Sequence, residues 1–473
     1  MNAKKLFTYA CITQQYKLPP ISEWLAALLF ILLPNLILWP IAASLGMGRP
    51  IINLDYLLPA VLITLPWRGV KIISGLSFAL FMLADIAMMT MQIFPFMDLG
   101  AVIYLAPFLV KAPIQYQIMA IGTLLIMVVV PLIWAKWSYK QHKIVVWVIA
   151  MMILLIGRNT TDFMYREFQY ERFGKNNYFY AHSQIQLWRE ENNNDFMEQM
   201  RNEPKLKPLH FQAASNQLNK PYSNKILFIV AESWGYAREE SVQQAILQKI
   251  YDHQDKLNFI KRGYFNFSGS TVQGEMRELC YLEIFGGYAL HKTPSEQFTQ
   301  CWPNLLKKEG YYTVAMHGAS GQMYDRDSWY RKAGFDHTIF AENLMDRPAC
   351  RAFNGACDYA LYKEVQKAFT KHPNKVLFYW LTLTSHYPYP ESDMVNPRLD
   401  CDKYNLIHGE ICNNLRLEAQ FFDGLAELID KPEMKGVEVI IVGDHMPPIF
   451  GDVPLYKNLR WADVGWVHFK IKE

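Results

Sequence analysis

Residues 225–233, KILFIVAES, are apolar for the length of a strand and then end abruptly in polar side chains. The same form recurs at 311–318 (YYTVAMHG), 375–386 (KVLFYWLTLTSH) and 437–445 (VEVIIVGDH), with helical spacing between them at 302–309, 358–371 and 413–430. Continuous apolar strands alternating with helices predict an α/β domain whose mostly parallel sheet is covered on both faces. Ligands of such sheets bind at the carboxyl ends of the strands. Four strands end there in Glu232, in His317, in His386, and in Asp444 with His445. A single polar residue after a strand is ordinarily a turn or cap residue. Four ends carrying metal-ligand or acid–base side chains predict a site.

Carboxylate oxygen together with imidazole nitrogen suits zinc or manganese, so Glu232, Asp444 and His445 are expected to hold one divalent metal. A catalytic metal keeps a further position for the reacting group. The loop 265–279, FNFSGSTVQGEMREL, offers Ser268, Ser270 and Thr271 just before a helical run that starts near Val272. A hydroxyl at a helix N-terminus faces unpaired amides and the positive end of the dipole, and those amides can hold phosphate oxygens. Metal contact would lower the pKa of the Thr271 hydroxyl and make it a nucleophile. The plainer alternative is a Ser/Thr helix cap.

The chain around this domain is of another kind. It has 473 residues and a net charge of +3, without the general basic field that would attract nucleic acid. Only 10 of its 91 charges fall in residues 24–157. Apolar runs near 24–46, 51–67, 71–96, 113–135 and 143–157 predict about five membrane spans, the second and fifth near the lower length limit of roughly 17 residues. Lys4, Lys5, Lys17, Arg68, Lys71, Lys136, Lys140 and Lys143 flank one side of these spans and only Arg49 and Lys111 the other, which puts the N-terminus in the cytoplasm. An odd number of crossings then exports everything after residue 157. Asp85 lies inside the third run without a partner charge at similar depth, and reads as a packing residue or else as a relay. The predicted organisation is a transmembrane domain over 1–157, an interfacial helical segment and linker over 158–220, and an exported catalytic domain over 221–473.

Residues 163–191, FMYREFQYERFGKNNYFYAHSQIQLWREE, carry many amphipathic rings and suit either the lipid boundary or a helix packed on the outer domain. Cys11 is on the cytoplasmic side. The other six cysteines lie in the exported half, as an oxidising compartment allows. They permit fifteen pairings, among which short loops favour 280–301, 350–357 and 401–412.

These residues together resemble the alkaline phosphatase/sulfatase superfamily in its membrane-anchored phosphotransferase branch, which includes lipoteichoic acid synthases, phosphoglycerol transferases and lipid A phosphoethanolamine transferases. The resemblance covers 225–470. It implies an alkaline phosphatase-like sheet sandwiched by helices, Glu232, Thr271, Asp444 and His445 as metal ligands, and Thr271 as nucleophile. MHGASGQMYDR (316–326) resembles the phosphoglycerol segment and implies substrate contacts by His317, Tyr324 and Arg326. TSHYPY (384–389) implies a substrate-binding and acid–base His386, and His468 in the last strand is a further candidate contact. The implied donor is phosphatidylglycerol, with phosphatidylethanolamine the runner-up. The implied acceptor is an envelope glycan or lipid, and the implied location a bacterial inner membrane with the catalytic domain in the periplasm. CWPNL (301–305) has Leu305 where the sulfatase nucleophile motif has Arg, which argues against ordinary sulfatase chemistry. A hydrolase, with water as acceptor, is the remaining enzymatic alternative.

Overall fold

The computed structural model describes residues 18–44, 49–93, 114–168, 181–191, 195–210, 212–449 and 457–473. Lys4, Lys5, Cys11, Lys17, Lys111 and residues 169–180 of the aromatic segment lie outside these. The chain divides into two compact units, one of Met1–Gln92 and Ile118–Glu191, which holds most of the apolar helices, the other of Ile93–Gln117 and Asn192–Glu473.

The helical unit contains α1 (Ile21–Ser44), α2 (Leu57–Leu62), α3 (Arg68–Ile93), α4 (Ile114–Ser138), α5 (Lys143–Phe168) and α6 (Gln184–Glu191). Stretches of α1, α3 and α4 are long and apolar enough to cross a membrane, and Lys143–Gly157 of α5 is a shorter apolar helix. Trp134 of α4 stacks on Phe30 of α1 and Phe78 of α3, at centroid distances of 5.0 and 4.0 Å.

The run at 51–67 differs from expectation, since it is helical only over six residues in α2 and a 3-10 turn at Leu54–Tyr56. Polar groups at its start explain this. The Asn53 side chain accepts from the Asp55 amide, and the Asp55 carboxylate accepts from the Ser183 hydroxyl and the Ile185 amide at the start of α6. Asp85 also differs from expectation, because it has a charged partner. Arg49 donates to it through Nε and Nη2 at 2.7–3.2 Å, with Asn53 and Tyr56 as further donors. Sequence distance hid this pair: Arg49 precedes the run but folds back to the depth of α3.

The second unit is built on β1 (Lys225–Ala231), β2 (Gly235–Ala237), β3 (Leu257–Asn266), β4 (Tyr312–His317), β5 (His337–Ile339), β6 (Val376–Leu381), β7 (Glu438–Gly443) and β8 (Leu459–Ile471). The order is β2-β8-β7-β1-β6-β4-β5, with β3 also paired to β8. Neighbours from β7 to β5 are parallel, while β8 runs antiparallel to β7, β2 and β3. The central strands β1, β6 and β7 are almost wholly buried, as their unbroken apolar runs require for a sheet with two covered faces. On one face pack α9 (Tyr362–Lys371) and α10 (Glu410–Ile429); on the other pack α7 (Thr271–Cys280) and α8 (Arg326–Ala333). Register aligns Ala231 at the end of β1 with Gly443 at the end of β7, and Val230 with Leu381 of β6. The polar residues that follow therefore emerge at one edge. Disulfides join Cys280–Cys301, Cys350–Cys357 and Cys401–Cys412, the short-loop pairing.

Candidate active site

At that edge Glu232, Asp444 and His445 each place one ligand atom within 4.8 Å of the others. The strand ends hold them rigidly. The Glu232 amide donates to Thr382 Oγ1 at 2.8 Å, and Asp444 Oδ1 accepts from the amides of Ser233 and His445 at 2.7 and 2.6 Å. Asp444 Oδ2 is buried without a hydrogen-bond donor, yet lies 3.3 Å from His445 Nε2. His445 Nδ1 lies 2.9 Å from the Met446 carbonyl, which can only accept. Nδ1 therefore carries the proton and Nε2 presents its lone pair to the two carboxylates. Such a backbone contact behind the ligating nitrogen is how metal-binding histidines are oriented. The donor set thus fits a divalent ion.

The electrostatics agree. Burial and the neighbouring Glu232 charge push the Asp444 carboxyl up to about 7. Burial opposes a charge on His445, but Asp444 and Glu232 outweigh it and raise the imidazole pKa. Two carboxylates buried side by side are costly unless a cation joins them.

Thr271 is the first residue of α7, and its Oγ1 lies 3.2 Å from Glu232 Oε2 and 3.3 Å from His445 Nε2. Ser270 is the N-cap residue, and both its amide and its hydroxyl donate to Gln273 Oε1. With Ser270 occupied in this way and Ser268 exposed, Thr271 is the hydroxyl directed at the cluster. The rest of α7 holds it there. Arg277 donates to the carbonyls of Gly443 and Asp444 at 2.7 and 3.0 Å and pairs with Glu278. Glu275, one turn after Thr271, accepts from Arg326, Tyr330 and Tyr379.

The implied substrate contacts divide. His317 and His386 stand at the ends of β4 and β6, each with Nδ1 against a backbone carbonyl, at 3.0 and 2.8 Å. Both therefore offer Nε2 as an acceptor. Burial, aided by the Arg326 charge, lowers the His317 pKa well below normal. Burial likewise brings His386 down to about 4, so both are neutral at pH 7. Phe353, which the sequence reading did not single out, stands over His386 at a centroid distance of 4.4 Å. Tyr324 is buried at positive φ beneath the Arg326 guanidinium.

Arg326 itself departs from expectation. Its Nε and Nη2 are engaged by Glu275 at 2.9 and 2.7 Å, and it is 1% exposed. Glu275 was legible in principle, since an acid four residues after Thr271 shares its helix face. His468 is a correction. It pairs in register with Ile440, near the amino end of β7, and bonds Glu438 at 2.8 Å inside the domain. Four residues at about 3.3 Å each separate that level from Asp444, so His468 is not part of this edge.

The Sulfatase family model matches residues 224–463, just over half of the chain. The chain belongs to the sulfatase family. Among its relatives are a putative cyclic beta-1,2-glucan modification protein of Rhizobium meliloti, 25% identical over 39% of this chain and 29% of the relative, and phosphoglycerol transferase I of Citrobacter koseri, 23% identical over 37% of this chain and 24% of the relative. The chain thus spans under a third of the length of these relatives. The lipoteichoic acid synthase LtaP of Listeria monocytogenes is similar in structure over 53% of this chain and 67% of that one, at 18% identity and a TM-score of 0.43.

Proposed function

We propose that this sulfatase-family chain is a phosphotransferase that moves a phospholipid headgroup, with phosphoglycerol favoured, onto an envelope glycan or lipid through a phosphothreonine at Thr271. One observation carries the reading: a helix-terminal hydroxyl stands 3.2–3.3 Å from two members of a buried Glu–Asp–His cluster. Glu232, Asp444, His445 and Thr271 would hold the ion, zinc or manganese. When bound, it would lower the pKa of the Thr271 hydroxyl and draw charge from a phosphoryl oxygen.

This chain's own groups do the rest. The amides at the start of α7 receive phosphate oxygens. The Thr271 oxygen attacks phosphorus, its proton passes to the departing diacylglycerol oxygen, and the headgroup stays on Thr271. An acceptor hydroxyl then attacks phosphothreonine, neutral His386, with Nε2 unprotonated, takes the proton of that hydroxyl, and the bond from phosphorus to Thr271 Oγ1 breaks as that oxygen regains a proton from the histidine. His317 Nε2 accepts from a headgroup hydroxyl, while Arg326, held by Glu275, supplies positive charge beside it. Apolar helices of spanning length suit a donor that stays in the bilayer, because each acyl CH₂ contributes about 0.8 kcal/mol to membrane attachment. The organisation that goes with this is an anchor over 1–157, a connecting segment over 158–220 and a periplasmic catalytic domain over 221–473. The family relationship to phosphoglycerol transferase I supports phosphatidylglycerol as donor, with phosphatidylethanolamine second.

Intact mass of the purified protein after incubation with each lipid tests this. The expected result is one phosphoglycerol mass on Thr271 with phosphatidylglycerol, and loss of the adduct with at least ~10³-fold slower transfer in Thr271→Ala, as for other nucleophile removals. An ethanolamine adduct would replace the donor. Undiminished transfer by Thr271→Ala would end the reading.

A further inference from the structure

The loop closed by the Cys350–Cys357 disulfide lies against the strand ends that carry His317 and His386. Its own bonds hold its shape. The Cys350 amide donates to the Gly355 carbonyl at 2.8 Å, the Gly355 amide to Ala352 at 2.9 Å and the Cys357 amide to Pro348 at 2.9 Å. Toward His317, the Ala356 amide donates to the carbonyl of the next residue, Gly318, at 2.8 Å. The two backbones are in close contact. A Cβ on Gly318 would stand 2.4 Å from the Ala356 carbonyl oxygen, and one on Gly355 would stand 2.5 Å from that of Gly318. Toward His386, the Phe353 ring stands 4.4 Å from the imidazole, centroid to centroid. Phe353 and Asn354 at the tip both have positive φ, 49° and 48°. Adjacent residues with side chains are strained in that region, and such strain persists only where the surroundings impose it.

Asp358, the residue after the disulfide, carries the hold into the His386 turn. It is buried, and its Oδ2 accepts from the amides of Leu383 and Thr384, at 2.9 and 2.7 Å. Its own amide donates to Thr384 Oγ1 at 2.9 Å. The His386 amide closes the turn on the Leu383 carbonyl at 3.0 Å. One carboxylate oxygen thus fixes the two residues that begin the turn. A ring from the loop beside it stands against the side chain that ends the turn.

We propose that residues 350–358 brace the histidine side of the site, with Asp358 and Phe353 as positioning residues that fix the backbone and the imidazole of His386. The proposal deepens the transferase reading and rests on it. In that reading His386 acts when phosphothreonine is resolved, and the attack of Thr271 does not use it. The brace therefore governs loss of the adduct and not its formation.

Two measurements on the full-length protein test this, beside thermal unfolding of the same samples. The first needs no turnover. Diethyl pyrocarbonate acylates accessible, unprotonated imidazole, and peptide mass spectrometry reads the rate at His386. Phe353→Ala should raise that rate several-fold, while Phe353→Tyr, which keeps the ring, should match the parent. The second follows the Thr271 adduct after a single exposure to phosphatidylglycerol, with water and added glycerol as the acceptor hydroxyls. Phe353→Ala and Asp358→Leu should form the adduct at close to the parent rate and lose it ~10²-fold more slowly, the usual penalty for a displaced general base. Asp358→Asn keeps an oxygen for both amides and should lose the adduct at close to the parent rate. Should Asp358→Leu fail to fold, the Phe353 variants decide alone. An unchanged acylation rate in Phe353→Ala would overturn the proposal. Adduct formation slowed as much as adduct loss would overturn it too, since the loop would then serve stability only. A parent protein that forms no adduct on Thr271 would end the transferase reading, and the acylation rates would still decide whether Phe353 holds His386.

Discussion

Ser270 engages Gln273 while the Thr271 hydroxyl faces Glu232 and His445, so two adjacent hydroxyls have separate partners. Asp444 sets a pH dependence. Its pKa of about 7 in the folded, metal-free protein lies above the ~3.9 of an unfolded aspartate. The folded state then holds a proton that the unfolded chain has released, and stability falls as pH rises from ~4 to about 7. Metal requires the carboxylate, so its affinity moves oppositely. Zinc binding should strengthen between about pH 6 and pH 8, while the Tm of the metal-free protein declines from about pH 4 and levels off once the pH passes about 7. A zinc affinity independent of pH there would contradict the coupled carboxylates. Asp85 behaves differently because its partner is fixed. Asp85→Ala leaves the Arg49 guanidinium buried and uncompensated, at a cost of about 3–5 kcal/mol. Thermal unfolding in detergent should register this, and an unchanged Tm would remove the ion pair from the account.

At the scale of elements, α7 joins Thr271, the proposed nucleophile, to the Glu232–Asp444–His445 cluster. Gly274 makes the close approach workable, since a Cβ there would stand 2.8 Å from the Asp444 carbonyl oxygen and 2.9 Å from its Cα. These are backbone atoms that cannot swing aside. Gly274→Ala should cost ~1–3 kcal/mol by overpacking and slow adduct formation on Thr271 by ~10²-fold, the usual penalty for a displacement near 1 Å. Single-turnover adduct formation and urea unfolding measure the two effects. A stable variant with full adduct rate would show that α7 can shift without consequence. Arg277, buried between the rings of Phe265 and Phe267, secures the same contact from the next turn.

At the scale of the molecule, three disulfides close loops of 21, 7 and 11 residues in the α/β unit. Cys280–Cys301 ties the end of α7 to a neighbouring helix. Replacing both cysteines by alanine should cost about 3 kcal/mol through the freer unfolded chain, read as a lower urea midpoint, and an unaltered midpoint would show the bridge to be dispensable. The helical unit and the α/β unit answer to different solvents, and their compositions divide accordingly: ten charges in residues 24–157 against 81 elsewhere.

Much of this was readable in the chain itself. KILFIVAES and VEVIIVGDH announce buried parallel strands because hydrophobic length and polar termination are local properties, and parallel register then carries Glu232, Asp444 and His445 to one edge without further information. The Thr271 loop and the short-loop cysteine pairs follow from neighbours in sequence. Other assignments needed the fold. His468 looked available until the β7–β8 register placed it beside Ile440. Arg326 meets Glu275 across 51 residues and Arg49 meets Asp85 across 36. Asn414 reaches Ser233 across 181. Local pattern determines which side chains a strand or helix presents. Which of them spend their hydrogen bonds on one another, and which remain for a metal or a substrate, depends on contacts between distant segments, and only packing decides those.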